Sequence, residues 1–528
     1  MKKQLILAII LLAICLSNNS LAQKQNKTVK LQHADKASIN LAKGIQVLTG
    51  NVYLIHKGMK MYCDVAYKYS KTNSIEAFGN IHVIQNDTLH MRGDKLYYDG
   101  TTRFAKIREN VILNDKKMTL STDFLNYDAN TNIGYYKNFG TVKDSMNVLT
   151  SKIGQYYAND NKICFQDSVV VVNPDYTMTS DTLTYTTDYK IVDITGPTNI
   201  YGKKDTLYTE LGWFNTINKQ VKLSKNNKAQ RETYFCYGDN IFIDNIKGTA
   251  VIKQNGILKD SLNQIMIKAN LIQAYKKIEY VVATQRAQLI QIDSKKDSLF
   301  LHADTLSLKK DTINTILKAY HSVKFYKKSL QGTCDSLSYS MKDSMAYLMK
   351  DPIVWANNSQ ITGDTIRLET SKGALKKFYV DKNSMIINEA DKDMFNQIKG
   401  RKMVGYFKNN FLDYLDVLGN AELLYFPTDK GIITAVNKTK CSDIRIRIVN
   451  RQLDEIRYSK KPDGTIYPLT KIEAEDLRLR DFRWEIDKQP KNKLDIFKKE
   501  TIESESEEEP IKKMAKEVIK KLTKEFKK

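Results

Sequence analysis

Histidine, cysteine, proline and tryptophan are all scarce in this chain, with 6, 6, 8 and 3 copies among 528 residues. The six histidines, His33, His56, His82, His90, His302 and His321, are scattered, and no pair has the spacing of a helical metal site. H-E-x-x-H, G-x-S-x-G and the phosphate-cradling G-x-x-x-x-G-K are absent, which removes the local signatures of zinc hydrolases, serine hydrolases and P-loop enzymes. His82 and His90 are placed to approach across a hairpin, where ordinary strand-face histidines are expected. No enzyme activity, cofactor or metal is expected. Proline does not occur at all between residues 23 and 173, so that stretch lacks the residue that interrupts strand ladders.

Long apolar runs are also missing, apart from Leu5 to Leu16. Lys2 and Lys3 precede that run and Ser20-Leu21-Ala22 follows it as an A-x-A-like site, so residues 1–22 read as a signal peptide cleaved after Ala22. No other stretch is long enough to span a bilayer as a helix. The mature chain is expected in a periplasm. Five cysteines remain there: Cys63, Cys164, Cys236, Cys334 and Cys441. An odd count, wide spacing and no C-x-x-C pattern argue against a disulfide framework and a zinc site. Charge is lopsided, 83 basic against 60 acidic residues for a net +23. A basic exported chain suits anionic polymers or lipid headgroups, and nucleic acid is not expected in that compartment.

What the chain does have is a repeat of about thirty residues running from near residue 50 to near residue 370. Its clearer half reads small residue, Asp, any, aliphatic, any, Tyr or aliphatic. It appears as Gly93-Asp94-Lys95-Leu96-Tyr97-Tyr98, Thr122-Asp123-Phe124-Leu125-Asn126-Tyr127 and Ser180-Asp181-Thr182-Leu183-Thr184-Tyr185. It returns as Ala303-Asp304-Thr305-Leu306-Ser307-Leu308, Cys334-Asp335-Ser336-Leu337-Ser338-Tyr339 and Gly363-Asp364-Thr365-Ile366-Arg367-Leu368. The other half is a short aliphatic strand, often opened by Gly-Asn, as in Gly50-Asn51-Val52 and Gly79-Asn80-Ile81. Period-two alternation, β-branched and aromatic residues, and Asn/Asp/Gly boundaries mark both halves as strands. The body is all β, a stack of about eleven units that bury their apolar faces on one another.

The recurring aspartates are the obvious acid–base candidates, and their recurrence argues against that role. Catalysis needs a few groups converging at one place with matched pKa values. A carboxylate repeated along a stack is expected to be structural, capping turns or bonding to backbone amides. Cys63 and Cys334 occupy the small-residue slot before it and are expected to act as small hydrophobes. Period two puts the aliphatic residue and the following Tyr or Leu on one face. The resulting ladder comprises Leu96, Tyr98, Leu125, Tyr127, Leu183, Tyr185, Leu306, Leu308, Leu337, Tyr339, Ile366 and Leu368. Such a ladder suits either a closed core or an open apolar groove.

The signal peptide, the Gly-Asn-Val strands, the repeats of the Ala303-Asp304-Thr305-Leu306 type and the segment Ile398-Lys399-Gly400-Arg401-Lys402-Met403-Val404-Gly405-Tyr406-Phe407 carry a resemblance. Over roughly residues 28–425 the chain resembles the OstA/LptA family of lipopolysaccharide transport proteins. The resemblance implies an elongated β-jellyroll folded like a taco, whose two sheets hold acyl chains in an apolar groove lined by the twelve ladder residues. It also implies lipopolysaccharide as ligand and other lipopolysaccharide transport proteins as partners, joined through terminal strand edges. The chain is longer than the compact members and lacks the series of lipid-facing strands of a transmembrane barrel after residue 425. A β-solenoid surface adhesin and a β-helical polysaccharide-degrading enzyme are the competing readings of the same repeat.

Five segments follow: residues 1–22, the repeats as 23–245 and 246–425, a proline-richer β cap at 426–495, and 496–528. The last holds an acidic linker, Glu503 to Glu509, and a basic amphipathic helix. In that helix Ile511, Met514, Ala515, Val518, Ile519, Leu522 and Phe526 form one stripe, with Pro510 at its first turn. Residues 511–526 are expected to touch a membrane surface or a partner.

Overall fold

The structure, a computed structural model, describes residues 28–293, 296–371, 374–409, 411–429, 432–450 and 452–498. The expected signal peptide, acidic linker and amphipathic helix lie outside the described residues. Within them the regular structure is almost all β, and the described helical segments are five short 3-10 turns. Two compact units form among the described residues: 28–232 with 239–247, and 233–238 with 248–498.

The first unit begins as a meander of long antiparallel strands, including Ile45–His56, Met59–Tyr69, Ser74–Gln85, Leu89–Asp99, Phe104–Asn114 and Thr119–Asp128. Every one of them bends in the middle. Where Ile45–His56 meets Met59–Tyr69, the register jumps between Thr49 and Val52, so Gly50 and Asn51 stand against the single Asp64. Gly79-Asn80 against Asp94 and Glu109-Asn110 against Asp123 repeat the arrangement. Both residues of each pair are left-handed, with φ of 77° and 45° at Gly50-Asn51 and 75° and 46° at Gly79-Asn80. Glycine adopts that region freely and asparagine tolerates it. The bulges fall on one line, so the whole sheet folds along a crease into two facing arms.

The repeated aspartate holds this crease. Asn51, Asn80 and Asn110 each donate a side-chain hydrogen bond to the carboxylate sixteen residues earlier, on Asp35, Asp64 and Asp94, at 3.1, 2.8 and 2.7 Å. The Asp35 backbone N–H in turn donates to the Gly50 carbonyl, a bond repeated at Asp304, Asp335 and Asp364. The same crease continues where the sequence signature fades. Glu210 replaces Asp and accepts from Asn226, and Lys152 replaces it against Asp167 with the charges exchanged, at 3.0 Å. The small slot before the aspartate points inward where the arms converge: a Cβ on Gly93 would lie 2.6 Å from Ile107.

The crease also breaks the strand alternation in a regular way. Along Leu89–Asp99 the buried residues are Leu89, Met91 and Gly93, then Leu96 and Tyr98, so the inward set changes parity at Asp94. Along Phe104–Asn114 the two left-handed residues preserve it, with Ala105, Ile107, Val111 and Leu113 all inward.

The second unit uses the same bent strands, among them Thr249–Asp260, Thr315–Lys327, Leu330–Ser340, Ala374–Asp391, Met394–Lys408, Phe411–Tyr425 and Ala435–Val449. Its last rung is Gln452–Ser459 along one half of Ala435–Val449 and Asp463–Pro468 along the other. Sequence placed residues 426–495 in a β cap; strands stop at Pro468, and residues 469–498 instead cross the outer face of one arm without regular structure beyond single 3-10 turns.

A Cβ at residue 79 would collide with the Asp64 carboxylate and would sit on a left-handed backbone. Gly79→Ala should therefore cost about 1–3 kcal/mol in urea unfolding. In the Asp64→Ala background the cost should shrink, leaving only the backbone part. Equal costs in both backgrounds would show that the carboxylate does not set the crease.

Candidate functional site

The space between the arms is where the twelve ladder residues fall, and it differs between the units. In the first unit Leu96, Tyr98, Leu125, Tyr127, Leu183 and Tyr185 are buried in one continuous apolar core that takes side chains from both arms. The tyrosines sit at the mouth end of one arm, and three of this column reach the tips of the other. Tyr98 Oη is 2.7 Å from Nδ1 of His56, Tyr156 donates to Asp115 at 2.8 Å, and Tyr185 donates to Asp144. Tyr127 instead donates to Asn132 within its own arm, at 3.0 Å. Burial pushes the Tyr98 phenol up to about 12. Asp144 shows the opposite outcome. Burial alone would raise it, but the Tyr185 hydroxyl, the amides of Met146 and Asn147, and Lys190 at 3.0 Å hold it at about 2. Here the jaw is shut.

In the second unit the column reads Leu308, Tyr339 and Leu368, and among the described residues no hydroxyl reaches across as Tyr98, Tyr156 and Tyr185 do. Leu308 and Tyr339 are only half-buried, while Leu306, Leu337, Ile366 and Leu368 are buried. A cavity of about 290 Å³ opens between the arms. Leu337, Tyr339 and Leu368 line it; Leu306, Leu308 and Ile366 do not. Its remaining apolar wall includes Leu289, Leu301 and Phe325 from the opposite arm, and Leu348 and Phe407 from the same arm as Leu337 and Leu368; none of the five stands at a ladder position of the repeat. Their own alternation, as in Leu299 and Leu301, was the available signal.

The cavity is amphipathic. Apolar side chains fill its crease side, and polar ones gather at the mouth: Asp293 and Asp297 on one tip turn, Lys327, Ser329, Asn357, Ser344 and Thr370. Lys327 pairs with Asp293 at 2.8 Å and lies 3.9 Å from Asp297. At about 30 Å³ per water-sized group, 290 Å³ holds roughly ten methylenes. Burying that many gives about 8 kcal/mol gross, before the losses of association. The volume is that of one alkyl chain of about ten carbons.

Other candidate chemistry resolves into structure. Cys63 and Cys334 are buried at the crease as free thiols, and burial pushes both up to about 12. His82 Nε2 and His90 Nδ1 meet at 3.1 Å across their hairpin, with burial first and then Arg92 and His90 lowering the His82 pKa. No group of three or more His, Cys, Asp or Glu capable of holding a metal occurs among the described residues.

Residues 26–181, all but the last part of the first unit, match the family described as OstA-like protein. No curated protein matches the chain. Among solved structures it is similar to LptH from Pseudomonas aeruginosa, the LptA homologous periplasmic component of the conserved lipopolysaccharide transport device. That likeness has 13% identity and a TM-score of 0.12, and covers 32% of this chain and 82% of LptH.

The closed and open jaws should respond differently to truncation. Leu125→Ala removes packed volume and should cost about 3–5 kcal/mol, whereas Leu337→Ala, beside existing space, should cost about 2 or less. Urea unfolding of the two variants measures the difference. Asp144 should make the first unit acid-sensitive. Its folded pKa is depressed, so its stabilisation is complete above about pH 4 and is lost as pH falls toward about 2. Asp144→Asn should flatten that part of the stability profile.

Proposed function

We propose that this chain, OstA-like over residues 26–181, is a periplasmic, non-enzymatic carrier in lipopolysaccharide transport that shelters acyl chain in the jaw of its second unit. The observation that carries the reading is the apolar cavity with a polar mouth, lined by the repeat's own ladder residues Leu337, Tyr339 and Leu368. An acyl chain against the crease leaves a sugar or phosphate head beside Lys327, Asp293 and Asp297, where hydrogen-bonding groups are concentrated. A cavity for one chain makes this a handling point for a lipid whose other chains lie elsewhere, or whose entry parts the arms.

Partners of matching build are supported by the strand edges. Lys30–His33 and Lys36–Asn40 pair on one side only, as do Gln452–Ser459 and Asp463–Pro468, among the described residues. Ile39 and Ile466 are 63% and 64% exposed there. Such edges accept a further strand, which fits joining to other lipopolysaccharide transport proteins. A membrane contact by residues 511–526 belongs to the same proposal.

Photo-reactive groups at residues 337 and 368 should capture lipopolysaccharide in cells, and groups at the outward neighbours Ser338 and Arg367 should not. Equal capture at all four would remove the cavity from the function. Ala346→Trp, which fills the cavity from its wall, should abolish capture at residue 337 while leaving the melting temperature within a few degrees.

A further inference from the structure

Residues 469–498 carry the inference. By period two, Gln331, Trp355, Gln360, Ile387 and Gln397 face away from the cavity, and their pairings form one line across five adjacent strands. An outer line should be wet. Instead each of the five is at most 8% exposed, because the C-terminal segment lies over them.

The segment is held by glutamine amides that act like pieces of strand. Gln397 donates to the Leu477 carbonyl at 2.8 Å and accepts from the Leu479 N–H at 2.7 Å. Gln360 does the same with Arg483 and Glu485, at 2.8 and 2.7 Å. Gln489 donates to Gln331 at 2.9 Å. The segment ends with Phe497 against His302, ring centroids 4.8 Å apart, and with Lys324 donating to the Lys498 carbonyl at 2.8 Å. The strands it grips are those whose other face walls the cavity: Leu301 on the His302 strand, Phe325 and Lys327 on the Lys324 strand, Leu330 on the Gln331 strand and Ala356 beside Trp355.

Two features make this grip releasable. Successive anchors are six residues apart along the segment, from Leu477 to Arg483 to Gln489, but only two strand spacings, roughly 9.6 Å, apart on the sheet. Six extended residues reach roughly 20 Å, so the segment carries about twofold slack. Beneath it, the buried Trp355 indole N–H has no hydrogen-bond partner among the described residues, and lifting the segment would return that donor to water.

We propose that residues 469–498 are a releasable brace on the cavity wall, seated to hold the arm closed over the cavity and lifted to let the arms part for lipid entry. This rests on the lipid-carrier reading. The brace acts on a wall, so it controls the rate of loading more than the chemistry of the ligand. If the lifted form is a minor state of roughly 1–10%, weakening the anchors accelerates loading by up to roughly ten- to hundredfold.

The test uses the full chain, with its own cysteines replaced, and uptake of a dansyl-labelled fatty acid followed by fluorescence. In Gln331→Cys/Gln489→Cys, a short bifunctional thiol reagent added to the folded protein pins the brace; uptake should slow roughly tenfold or more and recover when a cleavable reagent is cut. Gln360→Leu should speed uptake and raise amide exchange across residues 477–489 while leaving exchange in the first unit unchanged. Equal uptake by pinned and unpinned protein overturns the brace and leaves the carrier reading intact. No uptake by the parent protein overturns both.

Discussion

The arrangement depends on one constraint, a bend of left-handed residues held across neighbouring strands, most clearly by an aspartate carboxylate that receives the side-chain amide of a left-handed asparagine, as at Asn51, Asn80, Asn110 and Asn383. A sheet can fold back on itself only if its strands bend together, and bending requires residues where L-amino acids are disfavoured. Two left-handed residues per bend would cost an ordinary chain on the order of 1–2 kcal/mol each. Glycine and asparagine lower that cost, and the Asn80–Asp64 bond offsets part of the rest. Because the bend recurs at each repeat, the local device becomes a crease and the crease becomes two facing arms. Lys152 against Asp167 shows that the constraint is complementarity across the bend; either sign can sit on either strand.

Once the arms face one another, the side chain at the mouth decides what lies between them. A tyrosine there is long enough to cross, and its hydroxyl finds His56, Asp115 or Asp144 at the opposite tip. Three such crossings close the first unit around an apolar core. Leucine at 308 and 368 has the same apolar character and no donor, so it covers a face without bridging the gap. In the second unit a tip carboxylate, Asp293, takes a lysine from its own arm instead, which leaves the polar groups ranged along the mouth. A similar repeat thus yields a packed body in one unit and an amphipathic cavity in the other.

Sequence made the first of these outcomes legible and hid the second. The all-β class, the repeat and the inward ladder follow from alternation within each half-strand. Gly50-Asn51 and Gly79-Asn80 were visible too, but read as strand openers, because a double left-handed bulge inside a strand and a turn before one use the same residues. Whole-strand alternation could not have helped, since the parity changes at Asp94 and its equivalents. Shut and open jaws were indistinguishable because both use inward apolar residues; the difference lies in where a tyrosine hydroxyl lands 41 or 42 residues earlier in the chain. Segment 469–498 carries the least sequence signal of all. It has no periodicity, and its partners Gln331, Gln360 and Gln397 look like ordinary outward polar positions.

That segment answers a cost the cavity creates. A wall that borders a cavity has fewer protein neighbours on that side than a packed core supplies, and among the described residues the arm bordering the cavity lacks the tyrosine bridges that tie the first unit together. Covering the outer face of that same arm gives it a second apolar layer. Met385, Ile387, Phe395 and Leu424 pack there with Leu479, while Phe482 and Trp484 close over Phe395 at 5.3 and 5.2 Å. The stabilisation is placed outside, where it does not fill the cavity. A hollow β-jaw therefore needs support on its far side, and residues 469–498, gripped by glutamines of the sheet, supply it without adding a strand.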